Sequence, residues 1–375
     1  MDIDERNSSE DSPERSVESS VLVQWTQRLA PRRAATKSTG ENHSPPEQVA
    51  TNPLLLSVAQ TAMACQFEVL QNRQQYPQGV ESSLEALQLI EKVEQLFSVY
   101  KPHSDLSRIN RFAHLRPQCV SLDSFTLLQL AQDMHLVTQG AFDITAGSLS
   151  EAWGFSRRRG IMPSQSEIEK ALQNVGSTKL HLDISTLCVT TESAGVTVNP
   201  GGIGKGYALD RAANLLAESG IDDFMIHGGL SSIVARGNRM HSATRGGWLV
   251  AVKHPWDHDR QLGNIRLCNA ALGTSGSGKQ FFHFQGKRYS HLIDPRTGWP
   301  AQSMMSSTVL CASGAIADAL ATALFVLGPT AAREFCEQHP EIGALLVYAS
   351  PQTGKLVLEA INLPKDVWIP NESVS

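Results

Sequence analysis

The chain has 375 residues, which is enough for one large domain or two ordinary ones. Hydrophobic residues make up 41% of it, as in a globular protein with a buried core. The net charge of -5 argues against a nucleic-acid-binding protein, because such proteins usually carry an excess of basic residues.

The N-terminal segment, residues 1–52, is rich in Ser, Glu, Asp, Arg and Pro and has little apolar periodicity. This composition predicts a disordered tail, followed by a folded domain at 53–370. The first residues contain neither the basic nor the apolar segment of a secretory signal, so the sequence as written predicts a cytoplasmic protein. No run of about 18 apolar residues occurs, and we therefore expect no transmembrane segment.

The first elements of the folded part are a strand and two helices. The segment MACQFEVL at 63–70 predicts the strand, and apolar residues at helical spacing over 84–97 predict the first helix. A second helix is expected over about 123–138, with Gly140 placed where a C-cap glycine belongs.

The remainder of the chain adds two helices and many short strands. The helices are expected over about 210–218 and 315–326. Because strands and helices do not alternate strictly, the pattern favours an α+β fold with mixed, largely antiparallel sheets and flanking helices over a doubly wound sheet. The predicted strands are LHLDIST, LCVTTE, GVTVNP, FMIHG, SSIVARG, WLVAVKHP, GNIRLCNAAL, ALLVY and KLVLEAI.

Six cysteines are spread widely along the chain. Because none forms a C-x-x-C pair, zinc-binding and thioredoxin-like functions lack support. Their spacing in a long chain favours reduced, mostly buried thiols. They are Cys65, Cys119, Cys188, Cys268, Cys311 and Cys336.

A glycine-rich segment, GGIGKG at 201–206, precedes the helix expected over 210–218. Glycines let a backbone approach a phosphate closely, and a helix N-terminus offers free N–H groups to a pyrophosphate. The third glycine arrives one residue too early for the dinucleotide-binding fingerprint. The segment indicates either a pyrophosphate-binding loop or a tight turn.

A second glycine-rich segment, GTSGSGKQ at 273–280, matches part of a P-loop. Gln280 occupies the position of the magnesium-binding hydroxyl, and the following residues alternate like a strand instead of opening a helix. The pattern favours a flexible, ligand-facing loop over a nucleoside-triphosphate site.

The segment YSHLIDPRTG at 289–298 predicts a strand that ends in a turn. A histidine at such a strand end, here His291, is well placed to act as a general base. The alternative is a structural histidine that only donates or accepts hydrogen bonds.

Two oxygen-bearing side chains, Asp318 and Thr322, share one face of the otherwise apolar helix predicted over 315–326. A carboxylate there is costly to bury unless it is paired or binds a metal, and oxygen ligands favour magnesium or calcium. The alternative is a carboxylate that interacts favourably with the helix dipole.

A further segment, GAFDIT at 140–145, precedes WGF. By itself it indicates a capped helix end that leads to a packed aromatic residue.

Taken together and in order, these segments resemble the FAD:protein FMN transferase (ApbE-like) family. The resemblance runs from about residue 63 to residue 328. Each segment is weak alone, but seven in family-like order and spacing are specific. They are MACQFEV, FSVYKPHSDLSRIN, GAFDITAGSL with WGF, NPGGIGKGYALD, GTSGSG, YSHLIDPRTGWP and ADALATALFVLG.

The resemblance implies an ApbE-like fold and an enzyme with Mg²⁺ as cofactor and FAD as substrate. Such enzymes move FMN onto a Thr or Ser hydroxyl of a target flavoprotein and release AMP, and many are exported or lipid-anchored. Magnesium ligands are implied at Asp318, Thr322 and the Gly202 carbonyl, with His291 as the base. Two alternatives stay open, an FAD pyrophosphatase and a catalytically impaired flavin-binding protein. The implied flavin contacts are Met63, Tyr100, Ala141, Phe142, Asp143, Asn199, Lys205 and Leu292.

The chain departs from the family pattern at four positions. Asn199 and Leu230 stand where the family usually has Asp, His227 stands where it usually has Asn, and Ser277 replaces a common Asp. Loss of carboxylates near a metal is expected to weaken magnesium binding or to alter contacts on the adenine side. The intact metal-binding pair and the intact HLIDPRTG segment favour an active enzyme.

Overall fold

The computed structural model of the chain describes residues 13–29, 55–157, 160–239, 246–257, 259–278 and 280–371. Eight α-helices lie in these ranges. They are α1 (Pro13–Leu29), α2 (Gly79–Phe97), α3 (Asp105–Phe112), α4 (Leu122–Val137), α5 (Gly147–Ala152), α6 (Gln165–Leu172), α7 (Gly204–Glu218) and α8 (Gly314–Gln338). Short 3₁₀ turns cover Phe155–Arg157 and Ser177–Lys179.

The strands of the same ranges form one large and three small sheets. The large sheet has the order β1-β2-β6-β7-β10-β13-β14-β15, and all its neighbours are antiparallel. The small sheets are β16-β9-β8, β3-β5-β4 and β11-β12. The strands are β1 (Leu55–Ala62), β2 (Cys65–Asn72), β3 (Gln118–Cys119), β4 (Leu180–Asp183), β5 (Cys188–Thr191), β6 (Phe224–Gly228), β7 (Ser232–Arg236), β8 (Trp248–Lys253), β9 (Gln261–Leu267), β10 (Ala270–Gly276), β11 (Phe281–Phe284), β12 (Lys287–Ser290), β13 (Ser306–Cys311), β14 (Gly343–Ala349), β15 (Leu356–Ile361) and β16 (Trp368–Pro370).

The main core lies between the large sheet and the helices α2, α4, α7 and α8. Strand β2 alternates, so that Phe67 and Val69 point into this core while Glu68 faces the other side. On that other side, β8 and β9 contribute Trp248 and Ile265 to a second apolar cluster. The layers confirm the predicted α+β architecture with largely antiparallel sheets.

The central helix α8 is mostly apolar, and other elements of the fold surround it. By length and hydropathy it could cross a membrane. However, 72% of its most apolar 18-residue stretch is buried inside the protein, as expected of a core helix. Gly328 interrupts it with a φ of 79°, directly before Pro329, which lacks the N–H that a continuous helix requires.

The predicted helices over 84–97 and 123–138 are present as α2 and α4. Gly140 has a φ of 78° and donates its N–H to the carbonyl of His135, which ends α4 in the way a C-cap glycine does. The prediction of a strand at GVTVNP is wrong, because this segment makes one isolated bridge at Thr197 and otherwise bonds to the side chain of Asn110 in α3 and to the carbonyl of Ile144. The predicted loop over 273–280 is also wrong at its start, because 273–276 end strand β10.

The predicted disordered tail contains helix α1. Leu22, Trp25 and Leu29 are buried, and the indole Nε1 of Trp25 donates a hydrogen bond to Asp133 in α4. Spacings of three and four residues place the three apolar side chains on one helix face, which can pack against the fold. The prediction of disorder is wrong for this segment, and the rest of that tail lies outside the described residues.

The six cysteines are not all reduced thiols. Cys119 and Cys188 face each other across the β3–β5 pair and form a disulfide. The prediction of reduced thiols is therefore wrong for these two residues. They lie 69 residues apart in the sequence, so their spacing could not reveal the pair. Outside the disulfide, Cys311 and Cys336 are buried thiols, as predicted, whereas Cys268 is an exposed thiol. The predicted cytoplasmic location stays a prediction.

Candidate active site

The candidate active site lies over the two central strands of the large sheet, where α8 packs against β7 and β10. Ser232 begins β7 and pairs with Gly273 of β10. A Cβ atom at Gly273 would lie 2.4 Å from the carbonyl oxygen of Ala317 and 2.7 Å from the nitrogen of Asp318. Only glycine permits this approach, so β10 fixes the height of α8 above the sheet.

Helix α7 packs beside α8 on the same face of the sheet, in direct backbone contact. A Cβ atom at Gly206 would lie 2.0 Å from the carbonyl oxygen of Gly314, and the two helices cross at these glycines. The last three residues of the GGIGKG segment, Gly204 to Gly206, are the first three residues of α7, and Gly206 packs against α8. This contact brings the glycine loop to the helix that carries the predicted metal ligands.

Asp318 is buried and accepts a hydrogen bond on each carboxylate oxygen. The N–H of Gly206 lies 2.7 Å from Oδ2, and the hydroxyl of Ser232 lies 2.7 Å from Oδ1. Burial raises the pKa of Asp318, although the positive charge of Lys205 and the two hydrogen bonds favour its ionised form. A carboxylate offers about four lone-pair positions, so two remain for a ligand.

Thr322 lies one helical turn beyond Asp318 and faces the glycine loop. Its Oγ1 is 3.1 Å from the hydroxyl of Ser275, and a Cβ atom at Gly202 would lie 3.1 Å from the same Oγ1. The structure therefore brings Gly202, Asp318 and Thr322 together as an oxygen-rich cleft, of the kind that suits Mg²⁺. No group of three or more His, Cys, Asp or Glu side chains that could hold a metal occurs in the described part of the chain. Magnesium bound here would accordingly depend on oxygen atoms of a substrate, as it commonly does at phosphate sites.

His291 lies directly after β12, beside the 3₁₀ turn that contains Phe155. Its Nδ1 is 3.1 Å from the carbonyl oxygen of Gln280, and its ring meets Phe155 edge-on at 6.4 Å. A carbonyl only accepts, so Nδ1 carries the proton and Nε2 keeps a free lone pair when the ring is neutral. Burial lowers the pKa of His291, and the charge of Lys205 lowers it further. The ring is therefore neutral at pH 7 and able to accept a proton at Nε2.

The predicted flavin contacts in the 141–143 segment have different surroundings. Phe142 packs against the glycine loop, where a Cβ atom at Gly202 would lie 3.3 Å from its ring. Ala141 is buried next to it. The carboxylate of Asp143 instead accepts hydrogen bonds from Thr145 and Ser177, and its Oδ2 lies 2.9 Å from Nδ1 of His135. Burial would raise the pKa of Asp143, but these hydrogen bonds hold it below its ordinary value, so this side chain stabilises the loop that presents Phe142.

The other predicted contacts lie on separate segments of the chain. Asn199 accepts a hydrogen bond on Oδ1 from the N–H of Gly201 at 2.9 Å and thus shapes the glycine loop. Met63 forms the β1–β2 turn with a φ of 47°, and Tyr100 is 77% exposed in the loop after α2. Leu292 is buried, and its carbonyl accepts the N–H of Ala301.

The four departures from the family pattern also have defined surroundings. His227 is buried and its Nε2 lies 3.1 Å from Glu68 on the neighbouring strand. Leu230 is exposed at the tip of the β6–β7 turn with a φ of 61°. Ser277 is buried and accepts, on its carbonyl, a hydrogen bond from Arg288.

Sequence reasoning missed three residues that build the site, Ser232, Gly273 and Asp210. Ser232 lies in an ordinary strand segment, and nothing local distinguishes it. Gly273 opens the GTSGSGKQ segment, which was expected to be a loop and was given no packing role. Asp210 is fully buried in α7 and accepts hydrogen bonds from the first turn of α8. A charged residue among the apolar residues of α7 was the one available signal.

Comparison with known proteins agrees with this geometry. Residues 61–346 match the model of the ApbE family. The chain is 32% identical over 246 residues to the FAD:protein FMN transferase of Vibrio cholerae, covering 64% of this chain and 71% of that protein. It is 32% identical over 259 residues to the protein of the same name from Haemophilus influenzae, covering 67% and 74%.

Solved structures show the same similarity. The flavin transferase ApbE from Vibrio cholerae superimposes with a TM-score of 0.73 at 27% identity, covering 82% of this chain and 97% of that one. The ApbE protein from Thermotoga maritima gives a TM-score of 0.72, also at 27% identity and with the same coverage.

Proposed function

Because the chain belongs to the ApbE family, we propose that it is a magnesium-dependent FAD:protein FMN transferase. It transfers the FMN half of FAD to a Thr or Ser hydroxyl of a target flavoprotein and releases AMP. One observation carries the proposal. The glycine loop, which suits a pyrophosphate, faces the oxygen pair Asp318 and Thr322 across a direct contact of α7 with α8.

The glycine loop and Lys205 supply the binding site for the pyrophosphate. The dipole of α7 favours negative charge at its N-terminus, and Lys205 adds a positive charge that already acts on Asp318 and His291. Phosphoryl transfer depends mainly on positioning and on neutralising the charge of the phosphate oxygens. A glycine loop with an adjacent lysine can therefore both position the pyrophosphate and neutralise its charge.

Asp318, Thr322 and the carbonyl of Gly202 would hold the magnesium ion. When bound, Mg²⁺ neutralises the pyrophosphate oxygens and stabilises the departing AMP. Ser232 and the N–H of Gly206 keep the Asp318 carboxylate oriented for this task. The hydroxyl of Thr322 faces the same cleft.

His291 would remove the proton from the acceptor hydroxyl. The hydroxyl oxygen forms a bond to the phosphorus of the FMN half, and the bond from that phosphorus to the bridging oxygen breaks. AMP leaves with the bridging oxygen and its electron pair, and the hydroxyl proton moves to Nε2 of His291. The hydrogen bond from Nδ1 to Gln280 holds the ring in the tautomer that this step requires.

Incubation with FAD, Mg²⁺ and a target flavoprotein domain tests the proposal by mass spectrometry. A transferase adds about 438 Da to the target, the mass of FMN less water, and releases AMP in equal amount. Free FMN and AMP with an unmodified target would show a pyrophosphatase. Intact bound FAD in every sample would show a flavin-binding protein and contradict the proposal.

A further inference from the structure

We infer that Asp210 is a positioning residue for the proposed reaction. Its carboxylate fixes where α8 meets α7, and thereby where Asp318 and Thr322 face the glycine loop. The inference rests on the proposed function, because it concerns the alignment of the same site. Asp210 lies outside the cleft and is assigned no contact with FAD or metal.

Asp210 binds the first turn of α8 through three hydrogen bonds. Its Oδ1 accepts the N–H of Gly314 at 2.7 Å, and its Oδ2 accepts the hydroxyl of Ser313 at 2.7 Å and the N–H of Ala315 at 3.0 Å. The hydroxyl oxygen of Ser313 accepts the next N–H, that of Ile316, at 3.4 Å. Free N–H groups at the start of a helix need such partners, and here a residue of another helix supplies two of them.

A second link joins the same two helices one turn away. The N–H of Gly206 donates to Asp318, while Asp210 accepts from Gly314. Gly206 and Asp210 are four residues apart in α7, and Gly314 and Asp318 are four residues apart in α8. Residues at this spacing share one helix face. The two links therefore lie side by side and set both the distance and the rotation of α8 relative to α7.

Between the two links, the backbones of α7 and α8 are in contact and have no room to move closer. A Cβ atom at Gly314 would lie 2.8 Å from the carbonyl oxygen of Gly206 and 3.1 Å from Oδ1 of Asp210. If the Asp210 link is lost, the Gly206–Asp318 bond is the one hydrogen bond between α7 and α8 that remains among the described residues. That bond uses the carboxylate that would bind magnesium, so a shift of α8 would move the metal ligands directly.

A matched control is available in the chain. Asp105 is also a buried carboxylate that accepts hydrogen bonds at the start of a helix, from the N–H of Ser121 and the hydroxyl of Ser124 at the beginning of α4. Helix α4 carries none of the proposed metal ligands. Asp105 also pairs with Arg108 within α3. Both variants, Asp210→Asn and Asp105→Asn, therefore replace a buried carboxylate that has three hydrogen-bonding partners, and only Asp210→Asn does so between the helices of the site.

The experiment compares both variants with the wild type at a temperature at which circular dichroism shows all three to be folded. Two quantities are measured, the Mg²⁺ concentration for half-maximal AMP release from FAD and the rise in Tm on adding Mg²⁺ with FAD. Residues that orient metal ligands typically change affinity or activity by about 10–100-fold. We expect Asp210→Asn to need at least about tenfold more Mg²⁺ and to show a smaller rise in Tm.

Asp105→Asn should lose thermal stability but keep the Mg²⁺ dependence of the wild type. Should Asp210→Asn fail to fold, Gly314→Ala presses the two helices apart while keeping the carboxylate, and the same increase in Mg²⁺ requirement is expected. Wild-type Mg²⁺ dependence in a folded Asp210 or Gly314 variant would overturn the inference, as would an equal increase in Asp105→Asn. A wild-type protein that neither releases AMP nor gains Tm with Mg²⁺ and FAD would contradict the proposed function itself.

Discussion

Replacement of His291 by Asn tests the proposed proton transfer. An amide side chain is similar in size and can still donate a hydrogen bond to the carbonyl of Gln280, as Nδ1 does at 3.1 Å. The variant should therefore fold, but it has no group that can accept the hydroxyl proton. The glycine loop, Lys205 and the metal ligands stay intact, so the affinity for FAD should be unchanged.

The size of the effect follows from the state of the ring. Burial and Lys205 lower the pKa of His291 below its ordinary value of 6.5. Nearly all of the wild-type protein then carries a neutral imidazole at pH 7.5, and the full contribution of the base is lost in the variant. General bases typically contribute about 10²–10⁴-fold, and we expect FMN transfer to slow by at least about tenfold.

The assay is single-turnover transfer at saturating FAD, with FAD binding measured separately by flavin fluorescence. Only the neutral ring of His291 can accept the hydroxyl proton, so protonation of the ring should stop the transfer. Because the pKa of His291 is lowered, this protonation requires a lower pH. The rate of the wild type should accordingly fall only below pH 6.5, and the variant should lack this decline. His283→Asn is the matched control, because His283 is an exposed residue of the neighbouring strand and should be dispensable.

Two results would refute this reasoning. A stable His291→Asn variant that transfers FMN at the wild-type rate would remove His291 from the mechanism. A variant that loses stability and FAD binding together would show that the ring serves only as a structural hydrogen-bonding group.

Three further predictions concern the metal, the N-terminal helix and the disulfide. Asp318→Ala should abolish Mg²⁺-dependent AMP release while circular dichroism shows an intact fold, and unchanged activity would exclude the metal assignment. Trp25→Ala should lower the free energy of unfolding by about 3 kcal/mol in denaturant titrations, because it empties a buried site, whereas Trp25→Phe should cost about 1 kcal/mol for the lost hydrogen bond. Equal stability of both variants and the wild type would show that α1 does not pack. The denatured, unreduced chain should take up four alkyl groups by mass spectrometry and six after reduction, because Cys119 and Cys188 are joined; six groups without reductant would exclude the disulfide.

Local patterns in the sequence account for the elements that were predicted correctly. Helices α2 and α4 have apolar residues at helical spacing, and a terminal glycine marks the end of α4. Helix α1 has the same kind of stripe at Leu22, Trp25 and Leu29, but the many Ser, Glu and Arg residues around it favoured disorder. Composition averaged over 52 residues concealed a short packed helix.

The contacts that complete the site join distant parts of the chain. The hydroxyl of Ser232 and the N–H of Gly206 reach Asp318 over 86 and 112 residues. Gly273 serves the site through the absence of a side chain, and Asp210 serves it by binding the end of another helix. Such contacts depend on the tertiary arrangement, and a single sequence contains no spacing that reveals them.

The most direct test of the account follows oxygen through the reaction in H₂¹⁸O. Purified protein is incubated with FAD, Mg²⁺ and an acceptor flavoprotein domain, and the intact masses of acceptor, FMN and AMP are measured. Attack by the acceptor hydroxyl on the phosphorus of the FMN half predicts a gain of about 438 Da on the acceptor, with no ¹⁸O in the adduct or in AMP. A gain of about 329 Da, the mass of AMP less water, would show that the adenylyl half is transferred and would contradict the account. An unmodified acceptor with ¹⁸O in free FMN would contradict it too, because water would then be the acceptor.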